Sequence, residues 1–453
     1  MPMSLHSDHI AQLRRRHAGE VITPDDRRYE QARRVWNAII DKRPALIARP
    51  MHVADVQVAI EFARTHQLPL AVRGGAHSIA GKATCDEGLV IDFSEMKAIK
   101  VDAAKKIAVA EPGLKWHEFD QATQSHGLAT TGGTVGDTGI AGLTLGGGFG
   151  WLEGTCGMTV DNLLGADVVL ANGQLVHASE RDNPDLFWAL RGGGGNFGVV
   201  TSFEYRLHAV GPLIVGGLAV YPFARAAETL RFYNAFITTA PDALVAAAVL
   251  MTAPDGNKAC GIAVAYHGDV AEGERVVAPL KQFGPPVMDM IGPLPYIAQQ
   301  GLLEEAMPAN VLNYWKAEFI REVSDDVIAV AVDAYARVPS PMSSILFFPI
   351  RGAAARVPAD ATAFPHRSGF HTGIYSLWTD PTQNAPNIAW VRDTWRAINP
   401  FITGGVYVNE LGEDDGADRV RGAYGANYDR LMRIKQKYDP QNVFCLNANI
   451  VPA

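Results

Sequence analysis

The sequence predicts an α+β chain built from two domains that meet near residue 211. Three observations carry that reading. At 453 residues the chain exceeds what one ordinary hydrophobic core serves. Residues 44–208 alternate short apolar strands with helices, whereas from about 212 onward the apolar runs lengthen and alternate. The second texture is that of an antiparallel sheet with helices on one face. Apolar residues make up 48% and charged residues 19% of the chain, a proportion that packs as a globule.

The elements follow in order. "PALIARP" (44–50) is an apolar run closed by proline, and "VADVQVAIEFARTHQ" (53–67) carries helical spacing. "LPLAVRGG" (68–75) reads as a strand that ends in a glycine loop, completing a β-α-β unit. "GLVIDFSEM" and "KKIAVAEPG" are further strands, the second stopped by Pro112-Gly113. "LKWHEFDQATQSHG" (114–127) is a helix with its stop at Gly127. Residues 131–163 are dense in glycine yet too apolar for a flexible linker, which suits an ordered loop around a large ligand. "ADVVLANGQLVHAS" is a hairpin on Asn172-Gly173, and 183–207 give a short helix, a second glycine loop and a strand. In the second domain, "VGGLAVYPF", "ALVAAAVLMTAPDG", "KACGIAVAYHG", "SSILFFPIRG" and "FHTGIYSLWTD" are strands, and 224–240 and 270–284 are helices. "GGVYVNELG" (404–412) reads as one more strand, and 417–444 as a helix ended by Asp439-Pro440.

Composition excludes several classes. A formal charge of −8 argues against a nucleic-acid partner, which requires a basic face. No run reaches the roughly 18–20 apolar residues that span a bilayer, and the polar opening "MPMSLHSDHIAQLRRRHAGE" has no signal-peptide core. The expectation is a cytoplasmic enzyme without a membrane partner; nothing in the sequence sets its oligomeric state. Cys85, Cys156, Cys260 and Cys445 lack the paired spacing of a disulfide framework or a zinc site, so no metal is expected.

Two glycine clusters, Gly146–Gly150 and Gly192–Gly198, superficially suggest a nicotinamide dinucleotide fold. That fingerprint requires a preceding strand, a following helix and an acidic residue about 20 positions later, and neither cluster meets all three. The loops still suit phosphates. Arg73, Gly74, Gly75, Ala76, His77 and Ser78 offer consecutive amides beside a cation, and residues 131–147 add more amides with the hydroxyls of Thr134 and Thr138. Two amide nests fit a pyrophosphate gripped from both sides.

The segments "RGGAHS", "GGTVGDTGIAGLTLGGGFGWLEGTCGMTVDNLLGADVVLANG", "DLFWALRGGGGNFGVVTSFEY" and "YVNELGEDD…AYGANYDRLMRIKQKYDPQNVFCLNANI" carry a resemblance that spans both halves. Residues 44–208 resemble the PCMH-type FAD-binding domain of the vanillyl-alcohol-oxidase superfamily, and the full chain is similar to its berberine-bridge-enzyme-like branch. The resemblance implies an FAD-binding domain over 1–211 and a substrate domain over 212–405. It also implies a C-terminal segment, 406–453, that packs back near the flavin. It implies FAD bonded through its 8α-methyl to His77 and through C6 to Cys156. The remaining cofactor contacts it implies are Gly133, Val135, Gly136, Gly139, Gly142, Gly146, Gly147, Gly157, Asn162, Gly198, Val200, Tyr407, Asn409 and Asn447.

The chemistry is consistent with that implication. A neutral imidazole is a nucleophile near pH 7, and a thiolate adds to the ring where an electropositive setting lowers its pKa. Ala76 departs from the family's more usual third glycine and needs a backbone angle that tolerates a Cβ.

By the resemblance, a substrate carbon gives a hydride to flavin N5 while a base takes a hydroxyl or amine proton, and dioxygen or another acceptor reoxidises the flavin. Tyr407, Tyr375 and Glu410 are the candidate catalytic residues. Strand alternation over 404–412 places Tyr407 and Asn409 on one side and Glu410 on the other, which favours Tyr407. A tyrosine, with a pKa of about 10, needs a helper to act as a base, and no lysine or arginine neighbours Tyr407 in the sequence. Plant members place a lysine where this chain has Gly373, which speaks against their mechanism here. The expected function is oxidation of a C–OH centre in a sugar, alcohol or secondary metabolite, with dioxygen giving hydrogen peroxide. Oxidative cyclisation, or a flavoprotein that only sequesters a metabolite, are the alternatives.

Overall fold

In a computed structural model, which describes residues 5–453, the chain forms three large sheets. The first contains the predicted β-α-β unit with a twist in its pairing. Strands Leu46–Arg49 and Leu70–Arg73 do not touch; each runs parallel to Leu89–Asp92, which slots between them. Helix Val53–Thr65 makes the crossover and buries Val56, Ala59, Ile60 and Ala63, the i, i+3, i+4, i+7 stripe, against that sheet. The glycine loop 74–78 therefore leaves the carboxyl end of a rigid strand.

The second sheet is antiparallel, in the order Ile99–Asp102, Ile107–Ala110, Val199–Arg206, Leu163–Val169, Leu175–Ser179. Its hairpin turns at Gly173, whose φ of 86° needs glycine. The glycine-dense stretch before it is more regular than a loop, with short helices at Ile140–Gly146 and Glu153–Cys156.

The third sheet is wholly antiparallel, in the order Met288–Asp289, Leu213–Pro222, Lys258–Tyr266, Leu244–Thr252, Ser344–Ile350, Gly369–Trp378, Leu312–Ile320. Period-2 alternation gives it two apolar faces. Ala246, Ala248, Ile262 and Phe347 pack with Leu230 and Tyr233 of helix Ala226–Thr239, Val327 of Asp325–Ala336 and Val391 of Asn384–Ile398. Val245, Ala247, Ala263 and Phe348 point the other way, onto Phe149, Trp151, Met158 and Tyr407. One face thus belongs to the domain's own helices, and the other presses on the glycine-dense segment. The strand Leu312–Ile320 and the last two helices lie where the sequence pattern named no element.

The C-terminal stretch differs from its reading in two places. Residues 404–412 form no strand; Tyr407 caps a 3-10 turn, Val408–Glu410. The predicted long helix splits at Gly425 (φ 50°) into Ala417–Tyr424 and Tyr428–Tyr438. The second of these buries Leu431, Ile434 and Tyr438 in the same core as Trp188, Phe197 and Phe203 of the first domain. No helix among the described residues is long and apolar enough to cross a membrane.

Candidate active site

The site lies where the pressed face of the third sheet meets the two glycine segments. On strand Gly369–Trp378, His371, Gly373 and Tyr375 share the face toward the first domain. Gly373 is there to make room: a Cβ on it would stand 2.0 Å from the Tyr375 hydroxyl. The phenol folds back over the glycine and donates to Glu410, 3.2 Å from Oε1 and 3.1 Å from Oε2. His371 Nε2 donates to Oε2 of the same carboxylate at 3.1 Å.

Glu410 reaches this position because of the 3-10 turn. The Glu410 amide donates to the Tyr407 carbonyl at 2.9 Å, and residues i and i+3 eclipse in such a turn. The strand alternation that turned Glu410 away from Tyr407 is therefore overturned; both face the site. The Tyr407 hydroxyl accepts the Gly148 amide at 3.1 Å and Asn409 Nδ2 at 2.9 Å. These two neutral donors, one of them only two residues away, stand where a cationic helper is absent from its sequence neighbourhood. Burial nonetheless outweighs them and pushes the Tyr407 phenol above its ordinary pKa. Tyr375 is also pushed up, by burial first and then by the adjacent Glu410 charge. Both phenols stay protonated, so the groups of the cluster with a free lone pair for a proton are the Glu410 carboxylate and the His371 ring.

An aromatic wall links this cluster to the glycine loop. Tyr375 lies 4.5 Å from Trp315, Trp315 packs edge-on to Trp36 at 5.6 Å, and Trp36 stacks on His77 at 4.8 Å. Phe149 closes the other side, 4.6 Å from Tyr407 and 5.2 Å from His371. Trp36, Trp315 and His371 were not among the residues singled out for the site. Lone tryptophans in unassigned stretches carry no local signal of their own.

Comparison with known proteins then fixes the family. Residues 44–179 match the FAD binding domain family, and residues 406–451 match the family described as berberine and berberine like. An FAD-linked oxidoreductase of Dictyostelium discoideum is 34% identical over 420 residues, covering 92% of this chain and 91% of that protein. The chain belongs to the berberine-bridge-like FAD-linked oxidoreductases. The (R)-6-hydroxynicotine oxidase of Paenarthrobacter nicotinovorans is 30% identical, covering 96% of this chain and 97% of its own. The crystal structure of 6-hydroxy-D-nicotine oxidase from Arthrobacter nicotinovorans superposes with a TM-score of 0.89 at 26% identity, covering 96% of this chain and 98% of that one.

The residues of this oxidoreductase fit FAD. Among the described residues, the amides of Gly75, Ala76, His77 and Ser78 find no acceptor in the chain, and neither do those of Thr134, Val135, Gly136 and Asp137. Eight unspent donors in two partly exposed segments make an anion nest of the kind that holds a pyrophosphate. The segments touch backbone to backbone: a Cβ on Gly75 would meet Gly139 at 2.4 Å. Gly142, on the first turn of helix Ile140–Gly146, is exposed with open space around its Cα, whereas Gly133, Gly146 and Gly147 are shaped by Leu143, Asn409 and Phe364. Thr138 helps close the segment through its carbonyl, which accepts the Trp116 amide at 2.9 Å.

Several expected contacts stand elsewhere. Arg73 does not face the amides; its buried guanidinium donates to the carbonyls of Ala32, Arg33 and Ala83 and lies 3.8 Å from Asp92, bracing the loop from behind. Asn162 spends its amide on the carbonyls of Cys156 and Met158, both at 2.9 Å, and its oxygen on His208. Gly157 is a left-handed turn against Asp161, and Gly198 is small because Val168 stands 2.5 Å from where its Cβ would be. The Val200 side chain is in the core, so only its backbone is available. Asn447 bonds the Gly195 carbonyl at 2.8 Å and ties the C-terminal loop to the second glycine loop.

Cys156 is the largest departure. Its thiol packs beside the apolar cluster of Trp151 and Met158 and opens on a groove of about 660 Å³ lined by Lys106, Arg206, His208 and His267. No residue of that groove belongs to the His77 loop, to 131–147 or to the Glu410 cluster. Burial pushes its thiol up rather than down.

Proposed function

We propose that this oxidoreductase holds its FAD by one covalent bond, on His77, and oxidises a C–OH or C–NH centre with Glu410 as the base. When bound, the flavin supplies an electrophilic N5 that takes a hydride from the donor carbon. The free amides of 75–78 and 134–137 would hold the pyrophosphate, and His77 would carry the ring system through its 8α carbon. Glu410 accepts the hydroxyl or amine proton of the donor. Tyr375 and His371 orient that carboxylate by donating to it, and Tyr407, pinned by Gly148 and Asn409, fixes the turn that carries it. Among the described residues no lysine or arginine touches Glu410, so the cluster favours a neutral or cationic donor over an anionic one. The Trp36–Trp315–Tyr375 wall supports a donor bearing a flat ring or a sugar face. The names of the two hydroxynicotine oxidases support dioxygen as the electron acceptor, giving hydrogen peroxide.

The observation that carries this reading is the convergence of Tyr375 and His371 on one carboxylate at the end of a wall that begins at His77. Anaerobic bleaching of the flavin by a panel of alcohols, sugars and cyclic amines tests it. With a bleaching donor, E410Q should keep its flavin and lose about 10²–10⁴ in reduction rate. Wild-type rates in E410Q would remove Glu410 as the base, and a protein that binds no flavin would remove the whole reading.

A further inference from the structure

His77 has a partner that carrying the flavin does not by itself require. Its Nε2 lies 3.1 Å from Oδ2 of Asp137, whose Oδ1 is paired with the Lys115 ammonium. Chain geometry builds this contact deliberately. Lys115 precedes helix Trp116–Gln124 and is bridged to Gly139, two residues past Asp137, and that same Gly139 abuts Gly75 in the histidine loop. Trp36 stacks on the imidazole at an interplanar angle of 23° and sets the plane of the ring.

The state of Asp137 is decided by its neighbours. Burial alone would raise its carboxyl, but hydrogen bonds from His77 and Lys115 outweigh burial and hold it down at about 2. An ionised carboxylate only accepts hydrogen bonds. The imidazole nitrogen that faces it must then be the donor, so Nε2 carries the proton. In a neutral imidazole the lone pair consequently resides on Nδ1. Among the described residues Nδ1 has no hydrogen-bond partner, and the side chain keeps 16% of its surface accessible.

We propose that Asp137 is the positioning residue of flavin attachment: it fixes the His77 tautomer and makes Nδ1 the atom that bonds the flavin 8α carbon. The inference rests on the reading that His77 carries the flavin. In the step, a C8α–H bond breaks and an Nδ1–C8α bond forms. The electron pair of the broken bond is left on the ring system, which is thereby reduced by two electrons. The proton from C8α passes to solvent, and dioxygen then takes the two electrons together with two protons from solvent and leaves as hydrogen peroxide, restoring the oxidised flavin. Asp137 stabilises the positive charge that develops on the imidazole as Nδ1 is alkylated. Attachment through Nε2 would instead break the Asp137 contact and strand a carboxylate against Lys115 alone.

Apoprotein mixed with FAD and dioxygen provides the test, read as acid-stable flavin against time and as the linkage position in the isolated flavin peptide by NMR. Wild type should acquire acid-stable flavin through Nδ1. D137N, whose side-chain amide both donates and accepts and so no longer fixes the tautomer, should attach flavin at least about 100-fold more slowly while still binding FAD reversibly. D137E, which restores a carboxylate, should recover part of the rate. Wild type without acid-stable flavin would overturn the His77 reading itself. Wild type linked through Nε2, or D137N attaching at the wild-type rate, would overturn the role of Asp137 and leave the His77 reading standing. The linkage position is measured on the unmodified protein, so it decides the matter even where a variant fails to fold.

Discussion

The His77 loop and the Cys156 turn are made of the same ingredients and use their backbone donors in opposite ways. Each places a nucleophile beside a residue in the left-handed region, Ala76 at φ 62° and Gly157 at φ 77°. Each sits in a glycine-dense segment. In the first, four consecutive amides are unspent, and the nucleophile meets an ionised carboxylate and a stacked indole. In the second, the chain has used what it offers. The Cys156 amide donates to Leu152 at 2.8 Å, its carbonyl accepts from Asn162, and Asp161 is taken by the Met158 amide and by Arg367 at 2.7 and 2.9 Å. Glycine density does not distinguish a loop that grips a ligand from a turn that packs against its neighbours. The fate of the backbone donors does.

The largest expected effect tests that contrast directly. H77A should lose all acid-stable flavin, whereas C156S should keep it in full, with peptide mapping finding flavin only on the His77 peptide. Flavin on a Cys156 peptide would break the comparison. A second test moves to two aspartates beside the same glycine segment, Asp137 within it and Asp120 on the helix Trp116–Gln124 behind it. Asp137, paired, is held at about 2; Asp120, fully buried with only Gln300 Nε2 at 2.8 Å as a partner, is pushed by burial up to about 7. Gln300 Nε2 also donates to the Gly133 carbonyl, so this buried carboxyl props the ligand segment from below. Its folded pKa lies above the unfolded value of about 3.9. Between those values the unfolded chain releases a proton that the fold retains, so stability falls as pH rises from about 4 to 7 and is level above. The loss is on the order of 2–4 kcal/mol. D120N should therefore raise the melting temperature at pH 8 and change it little at pH 4; an equal shift at both would remove the titration argument.

Much of this was legible where one period governs a whole element. The stripe of helix Val53–Thr65 and the alternation that puts His371, Gly373 and Tyr375 on one face both follow from side-chain direction alone. The same rule failed at 404–412 because the segment meets strand Leu312–Ile320 only at its start, where the Gly405 carbonyl accepts the Phe319 amide at 3.3 Å, and no ladder continues past that point. A 3-10 turn there replaced period 2 with period 3 and brought Glu410 onto the side of Tyr407. Trp36 and Trp315 are 279 positions apart, and only the tertiary fold sets them edge to face. Asp137 was in plain view in "VGDTG", an acid inside a segment read as an anion nest, and that incongruity was the available signal. Its meaning depends on Lys115, which reaches it through a bridge that local pattern does not encode.

The smallest effects separate the two segments by sign. Gly157 has a Cβ position 2.9 Å from Asp161 Oδ2, the carboxylate that holds Arg367, so G157A should cost about 2 kcal/mol, from left-handed strain and the displaced ion pair together. Ala76 already bears left-handed strain, of about 1–2 kcal/mol for a residue with a Cβ. A76G should relieve it, offset by about 0.4–1 kcal/mol of extra freedom in the unfolded chain. The net is a gain of up to about 1.6 kcal/mol, with the Ala76 carbonyl still accepting the Trp36 amide at 3.1 Å. Thermal melts of the two variants should therefore move in opposite directions from wild type. If A76G also slows acid-stable flavin attachment, the alanine is retained for rigidity of the histidine loop, and its strain serves to hold His77 toward Asp137. If attachment is unchanged, Asp137 and Trp36 suffice to hold the imidazole, and the strain at Ala76 costs stability without return.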